Sequence, residues 1–201
     1  MKHELKKTKH TVAGDFSRRD LVTGGAAWTT GLAAIAALPV ALAGPSADDS
    51  GSLPFQLKDL TQIAFVVKDI EDATKRYADL FGVKVPRIST TDTADKAHTL
   101  HRGAPTPARA KLSFFSFGAI TIELIEPIGG PSTWKECLDK NGEGVHHLGF
   151  RVRDMKEALA ILNGKGFATI QTGDFTGGSY AYVDTTPVLH VIVELLASTK
   201  K

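Results

Sequence analysis

The feature that most limits what this chain can fold into is a pattern written twice. "QIAFVVKDIEDATKRYADLFGV", residues 62–83, lines up with "HLGFRVRDMKEALAILNGKGFA", residues 147–168. Each copy opens with an apolar run suited to a buried strand. Each then reaches an aspartate, Asp69 or Asp154, able to cap a helix N-terminus. Three residues on, Asp72 and Glu157 stand where a capping arrangement and the helix dipole favour a carboxylate. Apolar positions follow at helical spacing: Ile70, Ala73, Tyr77 and Leu80, then Met155, Ala158 and Leu162. Gly82 and Gly166 end the two helices.

The downstream segments match as well. "AKLSFFSFG" and "AITIELIEP" form two strands around a tight turn at Gly118, with "GGSYAYVDT" and "LHVIVELLA" as counterparts joined near Pro187. A further strand is expected near 84–91 and near 169–173. Each half is therefore strand, helix, then three strands. "GGPSTWKECLDKNGEG" links them and carries one short helix with Cys137, the chain's single cysteine, which packs or stays inert. The expected fold is α+β, two tandem βαβββ modules, about 57–128 and 144–197, whose curved mixed sheet surrounds a ligand-sized cleft.

The ends read differently. A Lys-rich head, the pair Arg18-Arg19, an uncharged run over Leu21–Ala43 and the ending "ALAG" describe a cleavable twin-arginine export signal over 1–43. A membrane anchor is the alternative, since about 20 apolar residues span a bilayer; weak hydrophobicity and the small residues Ala41 and Ala43 favour cleavage. A Gly/Pro/Ser-rich linker fills 44–56. The 158 residues after the signal, linker included, carry 18 basic and 19 acidic side chains, formally −1. That balance, without a basic patch, argues against nucleic acid. Nothing after the signal calls for a membrane, and a homodimer, with modules paired within or between chains, stays open. The expected location is periplasmic or secreted.

Four polar residues interrupt the apolar strands at equivalent places. Gln62 and His147 open the first strand of each half, and Glu123 and Glu194 lie in the last. A carboxylate inside a sheet is costly unless paired or bound to a metal. Two of them, with an imidazole and an amide, make a plausible shell for Zn²⁺, Ni²⁺, Co²⁺, Mn²⁺ or Mg²⁺. The alternative puts each Glu at an exposed sheet edge; the symmetry of the placement argues against it. Strand alternation assigns His147, the partner of Gln62, to the site and sends His146 to the opposite face. His98 and His101 fall in a polar loop, and His190 on the cleft rim or surface. Phe115, Phe117, Tyr180 and Tyr182 line either the cleft or the core.

These segments resemble the vicinal oxygen chelate superfamily, which includes glyoxalases, methylmalonyl-CoA epimerases, extradiol dioxygenases and antibiotic-resistance proteins. "GVHHLGFRV" and "IELIEP" look most like the epimerase branch, whereas the order Gln, Glu, His, Glu is similar to zinc lactoylglutathione lyases. The resemblance implies metal ligation by Gln62, Glu123, His147 and Glu194. It also implies a Lewis-acid lyase or isomerase chemistry on a small oxygenated carbonyl compound, through an enolate-like intermediate. Glu194 is the implied base, with Glu123 second. Two departures count. The strand before "IELIEP" has no acid over 110–119, with Ser113 near the epimerase's carboxylate position, and Val66 and Pro127 offer no glutathione clamp. Two function classes therefore stay open: an exported metalloenzyme, or a non-catalytic protein that sequesters a small molecule.

Overall fold

The computed structural model describes residues 53–199. The export signal expected over 1–43, and the linker as far as residue 52, lie outside them. Phe55 stacks on Phe150 with ring centroids 4.3 Å apart, so the packed chain starts slightly before Leu57.

The first module runs β1 (Leu60–Val66), α1 (Ile70–Phe81), β2 (Ser89–Thr90), α2 (Ala94–Ala97), β3 (Leu100–His101), β4 (Ala104–Pro105), β5 (Arg109–Phe117) and β6 (Ile120–Ile128). The connector holds α3 (Thr133–Asn141). The second module runs β7 (Gly144–Val152), α4 (Met155–Gly164), β8 (Thr169–Phe175), β9 (Gly178–Val183), α5 (Thr186–Leu189) and β10 (Ile192–Ser198). All ten strands join one sheet in the order β2-β5-β6-β1-β7-β10-β9-β8-β3-β4. β1 pairs in parallel with β6, β7 pairs in parallel with β10, and β1 meets β7 antiparallel at the centre. This is the expected pair of βαβββ modules, α+β, in a mixed sheet with a concave face.

The helices form where the sequence places them. Asp69 Oδ1 accepts the Asp72 N–H at 2.9 Å, and Asp154 Oδ1 accepts that of Glu157 at 3.0 Å. Gly82 stops α1 at φ 64°, a conformation that glycine adopts at no steric cost. α1 covers one module's outer face through Ile70, Ala73 and Ala78 against Phe115 and Leu124; α4 covers the other through Ala158 and Leu162 against Phe150, Val193 and Leu195. Each such large apolar side chain contributes roughly 1.5–3 kcal/mol on full burial. α3 lies on the inner face, where Trp134 packs with Ala64, Val66, Ile125 and Ile192.

The two halves differ in three places. β2 is only two residues long, because Pro86 withdraws a ladder donor upstream of it and the chain then departs. Residues 91–108 leave the first module and add the β3–β4 hairpin to β8, at the far edge of the sheet. Between β9 and β10 the chain makes a helical turn, α5, rather than a simple bend. His190 caps that turn at φ 57° and is exposed, in keeping with its expected place at the cleft rim or surface.

Candidate functional site

The register of the central strands builds the site. On the inner face Gln62 lies opposite Gly149, and His147 lies opposite Ala64. Glu123 on β6 neighbours Ala64, and Glu194 on β10 neighbours Gly149. Two small residues thus occupy the centre, and each is flanked by one glutamate and by Gln62 or His147. With no bulk at the centre, the four polar side chains turn inward and meet. His147 Nε2 lies 3.1 Å from Glu194 Oε2 and 3.6 Å from Glu123 Oε2, and the Gln62 amide donates to Glu123 Oε2. A Cβ built on Gly149 would sit 2.9 Å from both Gln62 Cβ and Glu194 Oε2. Gly149→Val, which keeps strand propensity, is therefore expected to cost about 1–3 kcal/mol of stability through overpacking. Chemical denaturation measures this, and an unchanged midpoint would mean that the centre has slack.

His146 departs from its expected place. Ala64 pairs with His147 but Phe65 pairs with Val145, so His146 is an extra residue in a β-bulge. Bulges bend the strand and re-aim side chains. Here both histidines are buried, their Nδ1 atoms are 2.9 Å apart, and both rings contact Tyr182. One proton bridges the two Nδ1 atoms. When it belongs to His147, Nε2 of that ring presents its lone pair to the two carboxylates, the arrangement by which a neighbour orients a ligating histidine.

Burial sets the electrostatics. Glu123 is 6 % exposed, Glu194 4 % and His147 0 %. Desolvation pushes the Glu194 carboxyl up to about 8, with the Tyr182 hydroxyl pulling back. Desolvation first and the Glu194 charge second push Glu123 well above the ordinary carboxylate range. Desolvation lowers His147 to about 3, and lowers His146 well below its usual value with His147 assisting. Both histidines are neutral at pH 7.

A divalent cation fits this donor set. His147 Nε2 and Glu194 Oε2 are buried and lack hydrogen-bond partners. Two buried carboxylates facing one imidazole nitrogen are unfavourable by themselves, whereas two carboxylate oxygens, an amide oxygen and an imidazole nitrogen suit a hard-to-borderline ion. A second carboxylate group, Asp69, Glu71 and Glu126, also gathers among the described residues. Its charges are already used: Asp69 caps α1, Glu126 accepts the Ile70 N–H at 2.9 Å, and Lys111 lies 3.1 Å from Glu126.

Gln62, Glu123 and Glu194 line a cleft of about 530 Å³, and fully buried His147 meets the two glutamates without lining it. Tyr180 and Tyr182 line it; Phe115 and Phe117 do not. β5 alternates so that Phe114 faces the cleft, while Phe115 packs on Tyr77 and Phe117 on Phe81 behind the sheet. Ser113 shares that hidden face and is fully buried. β5 therefore offers the cleft Leu112 and Phe114 and no acid. Trp134 Nε1 donates to the Tyr182 hydroxyl at 2.8 Å, tying the connector to the wall. Ala97 and Thr99 reach the cleft from the inserted segment. The histidines beside them are engaged elsewhere, His98 with Asp174 at 2.9 Å and His101 with Glu136 at 3.2 Å. Sequence reasoning missed Arg151, Phe114 and Trp134 as lining groups; period two along β7 from His147 marks Arg151 as sharing its face.

Comparison with known proteins agrees with this architecture. Residues 61–183 match the model of the glyoxalase/bleomycin resistance protein/dioxygenase superfamily. The chain is 26% identical over 139 residues to the uncharacterized protein YqjC of Bacillus subtilis strain 168, covering 68% of this chain and 89% of that one. It is 27% identical over 113 residues to the mitochondrial methylmalonyl-CoA epimerase of Mus musculus, covering 55% of each. The crystal structure of methylmalonyl-CoA epimerase from Mycobacterium tuberculosis superposes with a TM-score of 0.53 at 21% identity, over 71% of this chain and 89% of that one.

Proposed function

Because the chain belongs to the glyoxalase/bleomycin resistance protein/dioxygenase superfamily, we propose that it is a divalent-metal-dependent lyase or isomerase. It moves a proton on the carbon beside a carbonyl of a small oxygenated substrate. The observation that carries this reading is the buried meeting of Glu123, His147 and Glu194, with His147 Nε2 and Glu194 Oε2 unpartnered. Gln62, Glu123, His147 and Glu194 would hold the cation. When bound, it would supply Lewis acidity to a pair of neighbouring substrate oxygens.

The chain's own groups do the rest. Gln62 and Glu123 brace each other through the amide hydrogen bond, which leaves Glu123 Oε2 occupied. Glu194 has no amide brace of this kind, so it is the carboxylate that takes the proton from the substrate carbon and returns it. His147 stays neutral and does not compete for that proton. Phe114, Trp134, Tyr180 and Tyr182 exclude water from the reacting carbon and so strengthen each electrostatic contact there. The Arg18-Arg19 pair and the uncharged run after it support export by the twin-arginine route, so this chemistry would take place in the periplasm or outside the cell.

Sequestration of a small molecule without turnover is the second reading. It is favoured by the cleft face of β5, which brings Leu112 and Phe114 where a second acid–base group would be needed for two-base epimerisation. Solvent exchange separates the two. The metal-loaded protein in deuterium oxide should exchange the proton beside the carbonyl of some members of a panel of 2-hydroxy and 2-oxo carbonyl compounds, followed by NMR. Exchange should fall by about 10²–10⁴-fold in Glu194→Gln. Tight binding with no exchange across the panel supports sequestration and sinks the catalytic reading.

A further inference from the structure

The repeat makes the two ends of the cleft comparable, and they are not alike. Val66 in the first copy occupies the position of Arg151 in the second, four residues beyond Gln62 and His147 respectively. Since β1 and β7 run antiparallel, these two residues lie at opposite ends of the inner face. At the Val66 end the connector closes the cleft: Val66 is fully buried in the cluster that contains Trp134. At the Arg151 end nothing comparable among the described residues covers the inner face, and Arg151 is exposed.

The direction of Arg151 follows from the register. β7 and β10 stay in step from His147 to Val152 without a bulge. Leu148, Phe150 and Val152 pack behind the sheet with α4, so His147, Gly149 and Arg151 share the inner face. Arg151 lines the main cleft, where it is the only lysine or arginine among the lining residues, and it also borders an adjoining hollow of about 470 Å³. Gln62 and Phe114 line both spaces, so the hollow continues the cleft past the four-residue centre. Its other polar groups are hydroxyls. Thr121 pairs with both Gln62 and Ser116, and Thr61 sits in the bulge of β1 beside Gln62. Arg102, Lys111 and Lys135 are held by Glu136, Glu126 and Asp139, and none of them lines the cleft; Arg151 stands apart by its place on the cleft wall. Arg151 has no carboxylate partner among the described residues.

We infer that Arg151, with the hydroxyls of Ser116, Thr121 and Thr61, forms a subsite for a compact anionic group of the substrate, a carboxylate or a phosphate, at the open end of the cleft. This rests on the metal-centred reading above and names the substrate class: a chelating oxygenated carbonyl compound with an acid at its far end. Arg151 is two residues from Gly149, roughly 7 Å along the strand, so acid and chelating oxygens belong to one small molecule. The planar guanidinium suits either oxyanion through paired hydrogen bonds, and the hydroxyls supply further donors.

The test uses zinc-loaded protein and hydroxamates, which chelate a metal through two neighbouring oxygens. Acetohydroxamate is compared by calorimetry with 3-carboxypropanohydroxamate, 3-phosphonopropanohydroxamate and the uncharged amide of the carboxy compound. At least one acidic probe should bind about 10- to 100-fold tighter than the amide, and salt should erode the advantage. Arg151→Met should reduce that advantage to about threefold or less, and Arg151→Lys should keep part of it. Thr121→Ala, combined with Ser116→Ala, should remove roughly 3- to 10-fold. Which acid wins tells carboxylate from phosphate. If acetohydroxamate binds but neither acid gains over the amide, or the gain survives in Arg151→Met, the subsite is overturned while the metal centre stands. If no hydroxamate binds, the metal centre falls and the subsite with it.

Discussion

Stripped with a chelator and titrated with zinc, the protein is expected to take up one divalent cation per chain, and Glu194→Gln to lose on the order of 100-fold in affinity or more. Second-neighbour changes around metal sites already cost about 10–100-fold, and a direct charged donor contributes more than these. The same substitution should act on the metal-free protein in the opposite sense. Glu194 is buried beside Glu123 and is held away from its ionised form by desolvation. A neutral amide of the same shape removes that cost, so metal-free Glu194→Gln should unfold at a higher temperature than the parent. A purely structural glutamate would show the reverse pattern, with lower stability and unchanged metal uptake. Glu123→Gln should also weaken zinc binding, but with less gain in metal-free stability, because Gln62 loses the carboxylate its amide bonds. Calorimetry with zinc and thermal unfolding with chelator together decide it. Unaltered zinc affinity in both variants would sink the four-residue centre.

Those four residues were legible because duplication acts as an internal control. One glutamate in a strand says little, but Glu123 and Glu194 at matched positions, beside Gln62 and His147 at another matched pair, say that both modules aim at one point. The helix caps were legible for the same reason, since Asp69 and Asp154 each precede a carboxylate by three residues. What failed was whatever breaks the repeat. Alternation alone sends His146 away from His147, yet a bulge that no residue pattern announces brings their rings together. Phe115 and Phe117 stay open between cleft and core in the sequence because "FFSF" carries no phase, and only the pairing of β5 with β6 turns them to the core and Phe114 to the cleft. The last strand starts at Ile192 rather than at Leu189 because α5 occupies the residues before it, while His190 lies exposed as expected. The excursion of residues 91–108 to the far edge is a long-range pairing, invisible to any local window. Arg151 was in view throughout. Its meaning depends on knowing that the connector closes the other end of the cleft, which is a tertiary fact.

Without metal, stability should be greatest and nearly level between about pH 4.5 and 6.5 and fall on the alkaline side, and loading with zinc should abolish the alkaline loss. The signs follow from opposite shifts. His147 and His146 are depressed from about 6.5 by burial, His147 to about 3. Their contribution is present above the unfolded value and is lost as pH falls toward the folded one, because the unfolded chain then binds protons that the folded chain refuses. Glu123 and Glu194 are raised from about 4.5, Glu194 to about 8. Their contribution is present below the unfolded value and is lost as pH rises through the folded one. Between pH 4.5 and 6.5 the two effects oppose each other. From pH 6.5 to 8 only the glutamates remain, and one excess proton over that interval is worth roughly 2 kcal/mol, or about 4–8 °C of unfolding temperature. Zinc would hold both carboxylates ionised throughout, so its binding at pH 7 should release about one to two protons, which calorimetry in buffers of different ionisation enthalpy reads directly. A metal-free unfolding temperature that stays level from pH 6.5 to 8.5, together with zinc binding that releases no proton, would mean that the two glutamates are already ionised in the folded chain and that some group other than zinc neutralises them.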